Sequence, residues 1–136
     1  MPLSKRRPTD APAVIVIEDD LDARRFYADY LRSKGWNVFT AQDGRAGLNK
    51  ALELTPDVIL LDLAMPRVDG WTVLKQIRES SATAHIAVVV VSALSNARDK
   101  AFQAGCDAYL MKPCSPEIVY LQLRALLRLK GIAASI

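Results

Sequence analysis

The sequence predicts an α/β fold, a five-stranded parallel sheet with helices on both of its faces. Three observations carry that expectation. Short apolar segments alternate strictly with segments of helical periodicity, five of each. The central apolar segments are apolar at nearly every position, as strands covered on both sides are, instead of alternating with polar residues. Four of the five apolar segments end on polar side chains, which lines one end of the sheet with acids, a hydroxyl and an ammonium.

Each element follows from its local chemistry. Residues 1–12 hold three prolines among Ser, Thr, Asp and basic residues, and read as a flexible N-terminal arm. Residues 13–17 form the first strand. Residues 21–34 place Phe26, Tyr30 and Leu31 at helical spacing and stop at Gly35, a left-handed cap. Residues 36–41 alternate well enough for a second strand. Residues 44–54 carry Ala46, Leu48, Ala51 and Leu52 on one side of a helix that Thr55-Pro56 ends.

Residues 58–61 are the third strand, 65–70 a loop with Pro66 and Gly70, and 71–79 the third helix. Residues 86–91 and 96–104 are the fourth strand and helix, the latter stopped by Gly105. Residues 108–111 and 117–130 complete the series, and Gly131 closes the last helix. One domain over 13–131 results, with 132–136 as a C-terminal tail. Right-handed crossovers leave few topologies for such a chain, and the flavodoxin-like order 2-1-3-4-5 is the expected one.

Composition narrows the function classes. The net charge of +3 owes part of its excess to Lys5-Arg6-Arg7, a patch short enough to be a solvated tail. No direct contact with nucleic acid is therefore expected. Cys106 and Cys114 are too few for a disulfide framework and lack the partners of a zinc site, which fits free thiols in the cytoplasm. The longest apolar run, 86–91, is far short of the ~20 residues that span a bilayer, so no membrane association is expected.

The strand ends carry the chemistry. They are Glu18-Asp19-Asp20, Asp62, Ser92 and Lys112. With the first and third strands as neighbours about 4.8 Å apart, Glu18 and Asp19 crowd Asp62. Carboxylates that close repel one another unless a cation intervenes. A hard divalent ion, Mg²⁺ (or Mn²⁺), suits such a site. Asp19 and Asp62 are the expected direct ligands, Glu18 one acting through water, and the Ala64 backbone carbonyl a further oxygen. The ion also makes Asp62 a plausible nucleophile toward a phosphoryl group, whose oxygens would meet the metal, Lys112 and the Ser92 hydroxyl. Any one of these residues has an ordinary structural explanation, such as a helix cap at Asp20 or Asp22 or a surface lysine at Lys112. Four strand ends with matched chemistry do not share one.

The segments Val16-Ile17-Glu18-Asp19-Asp20, Asp57 through Pro66, Asp69-Gly70, Ser92-Ala93 and Lys112-Pro113 together resemble the response-regulator receiver domain of two-component signalling. The resemblance covers roughly residues 13 to 130. It implies that Asp62 accepts a phosphoryl group from a phosphohistidine on a sensor histidine kinase or a histidine phosphotransfer protein. It implies Mg²⁺ at Glu18, Asp19 and Asp62, and a cis bond between Lys112 and Pro113. Ser92 and Tyr109 match the family's switch pair, Ser92 turning toward the phosphoryl group and Tyr109 moving inward behind it. Ala64 and Leu94 occupy positions that tune phosphoryl lifetime; both are apolar and cannot orient an attacking water, so slow dephosphorylation is expected. The chain departs from the common pattern at Glu18, where Asp is usual, and at Cys114, where an aromatic is.

A stand-alone receiver signals through its own surface to a downstream protein target. The resemblance points to the face of the fourth helix, fifth strand and fifth helix, here with Arg98, Lys100, Gln103, Tyr109, Tyr120 and Arg124. The chain would act as a monomer or as a phosphorylation-dependent dimer. It is not expected to be a conventional enzyme, although it would catalyse its own Mg²⁺-dependent phosphorylation and dephosphorylation. A small aspartyl-phosphate phosphatase or phosphotransferase would place a second acid where Ala64 stands. A flavodoxin-like cofactor binder would need a phosphate-cradling loop in place of Glu18-Asp19-Asp20. A pseudo-receiver that only binds proteins would lack Asp62, Lys112 or one of the acids.

Overall fold

A computed structural model describes residues 11–65 and 69–132; the expected arm, all but one residue of the expected tail and Pro66 lie outside the described residues, save Ala11 and Pro12. Its elements run β1 (Ala13–Ile17), α1 (Leu21–Ser33), β2 (Asn37–Ala41), α2 (Gly44–Leu54), β3 (Val58–Leu61), α3 (Gly70–Glu79), β4 (Ala87–Ser92), α4 (Arg98–Ala104), β5 (Ala108–Met111) and α5 (Pro116–Leu129). All strand pairs are parallel and the order is β2-β1-β3-β4-β5, as the sequence leads one to expect.

Alternation along the buried strands sorts the core into two layers. Ile15, Ile17, Ile59, Leu61, Val88 and Val90 face Val73, Leu74 and Ile77 of α3 and Ala101 of α4. Their chain neighbours Val14, Val16, Val58, Leu60, Val89 and Val91 face Tyr27 and Leu31 of α1 and Val119, Leu123 and Leu127 of α5. Every residue of β3 and β4 is buried, which is why neither strand alternates in polarity.

Helix boundaries follow the caps. Asp20 accepts from Ala23 N at 2.8 Å and starts α1; Asp43 does the same for α2 through Ala46 N at 2.8 Å. Asp69 accepts from Thr72 N at 2.9 Å, so α3 begins at Gly70, one residue before the expected start. Ser115 caps α5, which then opens on Pro116. At α4 the cap position is Ala97, which offers no side-chain acceptor, and the helix begins at Arg98 instead of 96. Trp36 is not in β2 but buried beside it. Gly35 takes the expected left-handed conformation, φ 85°.

Cationic side chains close the sheet's edges. Asn37 N and Ala41 O bond toward the β1 side, so Val38 and Thr40 turn their backbone outward. Arg32 donates to the Val38 carbonyl at 3.0 Å and Lys50 to that of Thr40. On β5, Arg98 donates to the Tyr109 carbonyl at 3.3 Å. Such capping leaves no free acceptor row for a foreign strand at those positions.

The end of the sheet opposite the acids is tied by one side chain. Arg78 donates to the carbonyls of Gly105 (2.8 Å), Ile86 (2.7 Å) and Ala84 (3.1 Å), and to Asp107 Oδ2 at 3.0 Å. That carboxylate oxygen also accepts from Val88 N at 2.8 Å. Arg78 thus joins α3 to the loops before β4 and β5. Hydrogen bonds from a charged group contribute about 1.5–3 kcal/mol each but not additively, so Arg78→Ala should cost about 2–4 kcal/mol in urea unfolding. A loss below about 0.5 kcal/mol would show that these bonds are replaced by water without penalty.

Candidate functional site

β1 and β3 are neighbours with Ile17 opposite Leu61, and Asp62 N donates to Ile17 O at 3.1 Å. The residues that follow each strand therefore emerge side by side. Glu18, Asp19 and Asp62 each bring a carboxylate oxygen within 4.8 Å of the others. Glu18 and Asp62 are buried, 2% and 4% exposed, while Asp19 faces solvent.

Backbone groups fix the two buried acids. Asp62 Oδ1 accepts from Ala64 N at 3.1 Å, and Glu18 Oε2 from Asp20 N at 3.2 Å. Arg24 reaches from α1 to the carbonyls of Glu18 (2.9 Å) and Asp19 (3.3 Å), which turns the acidic loop over the end of the sheet. On the far side Gly70 N bonds Leu63 O at 3.1 Å. A Cβ at position 70 would lie 2.4 Å from both Asp62 O and Leu63 Cα, so α3 can approach the Asp62 backbone only with glycine there.

Lys112 arrives from β5 and contacts both buried acids. Its Nζ lies 2.8 Å from Glu18 Oε1 and 3.4 Å from Asp62 Oδ2. Burial pushes the Glu18 carboxyl up to about 7; the Lys112 hydrogen bond opposes this and the Asp62 charge adds to it. Burial pulls the Lys112 ammonium down, but the Glu18 hydrogen bond and the charges of both acids outweigh it and hold the group above its ordinary value. Positive charge is short here, the condition under which an all-oxygen cluster accepts a hard cation.

Ser92 ends β4 with no exposed surface, and its hydroxyl accepts from Leu94 N at 3.1 Å. Tyr109 is 7% exposed, its ring sits in the core with Val90 and Ala97, and its hydroxyl donates to the Leu94 carbonyl. The ring lies inward in this structure. The Lys112–Pro113 bond is cis. Ala64 and Leu94 are exposed and put no polar side chain near Asp62. Cys114 O accepts from Tyr27 OH at 3.0 Å, and burial pushes both the Cys106 thiol (to about 11) and the Cys114 thiol up.

The expected output face needs correction. Tyr120 packs on Trp36 and Tyr30, ring centroids 5.3 Å and 6.1 Å away, with the Lys34 ammonium 5.2 Å from its ring. Arg124 lies over that same ring at 5.8 Å. Both belong to the α1–α5 seam, because Val119, Leu123 and Leu127 set the buried stripe and positions 120 and 124 fall on its α1 flank. Lys100 rests its ammonium 4.7 Å from the Trp71 ring of α3. Arg98 lies over Phe102 at 5.0 Å and Gln103 is exposed. The sequence reading missed the exposed apolar side chains of these elements, Phe102, Met111, Ile118 and Leu121. Subtracting the core stripe of α5 from its apolar residues would have found the last two.

The raised Glu18 carboxyl has a consequence for stability. The folded chain holds that proton more readily than the unfolded one, so the contribution of Glu18 to metal-free stability is fully present below pH 4.5 and is lost as pH rises through about 7. The loss amounts to at most about 3 kcal/mol, and Glu18→Gln should remove this part of the pH dependence in urea unfolding between pH 5 and 8. Identical pH profiles for the two proteins would contradict the assignment.

Comparison with known proteins agrees with this geometry. The profile of the response regulator receiver domain matches residues 14–124. The chain is 40% identical over 119 residues to the DNA-binding dual master transcriptional regulator RpaA of Synechocystis, covering 86% of this chain and 49% of that protein. It is 39% identical over 120 residues to the transcriptional regulatory protein ResD of Bacillus subtilis, covering 88% and 50%. The chain thus spans about half the length of these relatives. The chemotaxis response regulator CheY4 of Vibrio cholerae superposes with a TM-score of 0.81 at 27% identity, over 86% of this chain and 99% of that one. The receiver domain of Francisella response regulator 1452 gives 0.82 at 28% identity, over 88% and 98%. No helix among the described residues is long and apolar enough to cross a membrane. The chain belongs to the response regulator receiver domain family.

Proposed function

We propose that this chain is a phosphoacceptor switch of the cytoplasm, with Asp62 taking a phosphoryl group from a phosphohistidine. The observation that carries the reading is the gathering of Glu18, Asp19 and Asp62 within 4.8 Å, with Lys112 Nζ on the two buried acids. An Asp62 oxygen attacks phosphorus as the P–N bond to the donor imidazole breaks, leaving an acyl phosphate and a histidine. Glu18, Asp19 and Asp62, with the Ala64 carbonyl, fit Mg²⁺ or Mn²⁺. When bound, the ion would neutralise the carboxylates and phosphoryl oxygens that otherwise repel one another. Lys112 and the Ser92 hydroxyl supply the remaining partners for those oxygens.

Ser92 and Tyr109 already meet at one element, since both bond Leu94, one through its N–H and the other through its carbonyl. Turning Ser92 toward the phosphoryl group therefore disturbs the loop that anchors Tyr109. Two packings of β4, α4 and β5 then exchange, and the phosphoryl group biases them by its contact with Ser92. The donor is a sensor histidine kinase or histidine phosphotransfer protein. A downstream protein, or a second copy of the chain, reads the outcome on α4, β5 and α5. Retention of Asp62, Lys112 and every acid of the cluster supports this reading over a phosphorylation-independent binding module.

Incubation with Mg²⁺ and a small acyl phosphate should give an acid-labile and base-labile adduct on the wild-type chain and none on Asp62→Asn. With the donor removed, the adduct should persist, since Ala64 and Leu94 orient no water. Equal labelling of the two proteins would place the chemistry elsewhere.

A further inference from the structure

Glu18 and Asp62 compete for one ammonium, and the competition is uneven. Lys112 Nζ is 2.8 Å from Glu18 Oε1, a full charge-assisted hydrogen bond, but 3.4 Å from Asp62 Oδ2. Glu18 is built to hold it. The carboxylate is 2% exposed, and its other oxygen is fixed by Asp20 N. An aspartate at position 18 would end one carbon–carbon bond, about 1.5 Å, earlier and would not span the same gap from the same backbone.

We propose that Glu18 is a positioning residue for Lys112: in the resting chain it draws the ammonium closer to itself than to Asp62, and it yields the ammonium when a cation enters the acidic cluster. This rests on the functional reading given above. A divalent cation among Glu18, Asp19 and Asp62 draws on the charge that now holds Lys112, so metal entry and release of Lys112 are one event. Lys112 is then free for the phosphoryl oxygens only in the loaded site. The extra methylene of Glu18 thereby makes the availability of Lys112 depend on metal occupancy, which suits a switch that should not react unloaded.

Limited acylation of the intact chain with acetic anhydride, read residue by residue by mass spectrometry, tests this without recourse to phosphorylation. In the metal-free protein, Lys112 should react about tenfold faster in Glu18→Asp than in wild type, the equivalent of losing one charge-assisted hydrogen bond. Asp62→Asn should accelerate it less, and Mg²⁺ should raise the wild-type rate toward that of Glu18→Asp. Lys50 and Lys130, held by the carbonyls of Thr40 and His85, report general loosening and should not change. A Lys112 rate within about twofold of wild type in Glu18→Asp would overturn the proposal. So would a larger acceleration in Asp62→Asn, or equal acceleration at Lys50. If Asp62 fails to take a phosphoryl group while the acylation contrast holds, the functional reading falls and the positioning role stands; the reverse result removes only the role.

Discussion

One charge imbalance organises this molecule. Three carboxylates converge at the end of β1 and β3, two of them buried, and among the described residues a single ammonium lies against the buried pair. Burying a charge costs several kcal/mol unless partners replace its water. Lys112 and the backbone donors Ala64 N and Asp20 N offset part of that cost, and the rest remains as the raised Glu18 carboxyl. A site under this tension gains more from an incoming cation than a satisfied one does.

The fold creates that tension and keeps it local. Parallel pairing of β1 with β3 sets the two acidic loops side by side, and pairing of β4 with β5 brings Lys112 N onto Ser92 O at 2.8 Å. Gly70 lets α3 close on the Asp62 backbone, and Arg24 draws the Glu18–Asp19 loop toward α1. At the opposite end a separate polar cross-link of Arg78 and Asp107 joins α3, β4 and β5. Next to Ser92 and Tyr109, α4 starts without a side-chain cap.

Much of this was legible from the chain because burial on both faces writes itself directly as apolar runs. β3 and β4 are such runs, and once they are strands, the polar residues ending them are fixed in place by geometry. The acids, Ser92 and Lys112 were therefore readable as one group. Flank and rotamer were not. Tyr120 and Arg124 share the α5 surface with Ile118 and Leu121, and only the presence of Trp36 and Tyr30 on one side decides which flank is covered. The inward ring of Tyr109 depends on a hydrogen bond to a carbonyl fifteen positions away, which no local pattern encodes. Nor does spacing reveal that Glu18 reaches Lys112 more closely than Asp62 does; that depends on side-chain length within a formed site.

The central claim is that these carboxylates form one cation-dependent phosphoryl site. Calorimetric titration with Mg²⁺ tests it most directly, on wild type beside Asp19→Asn and Asp62→Asn. The account predicts one ion per wild-type chain and at least about tenfold weaker binding in each variant, since each removes a carboxylate from the cluster. Wild-type chain that binds no Mg²⁺, or variants that bind it unchanged, would contradict it.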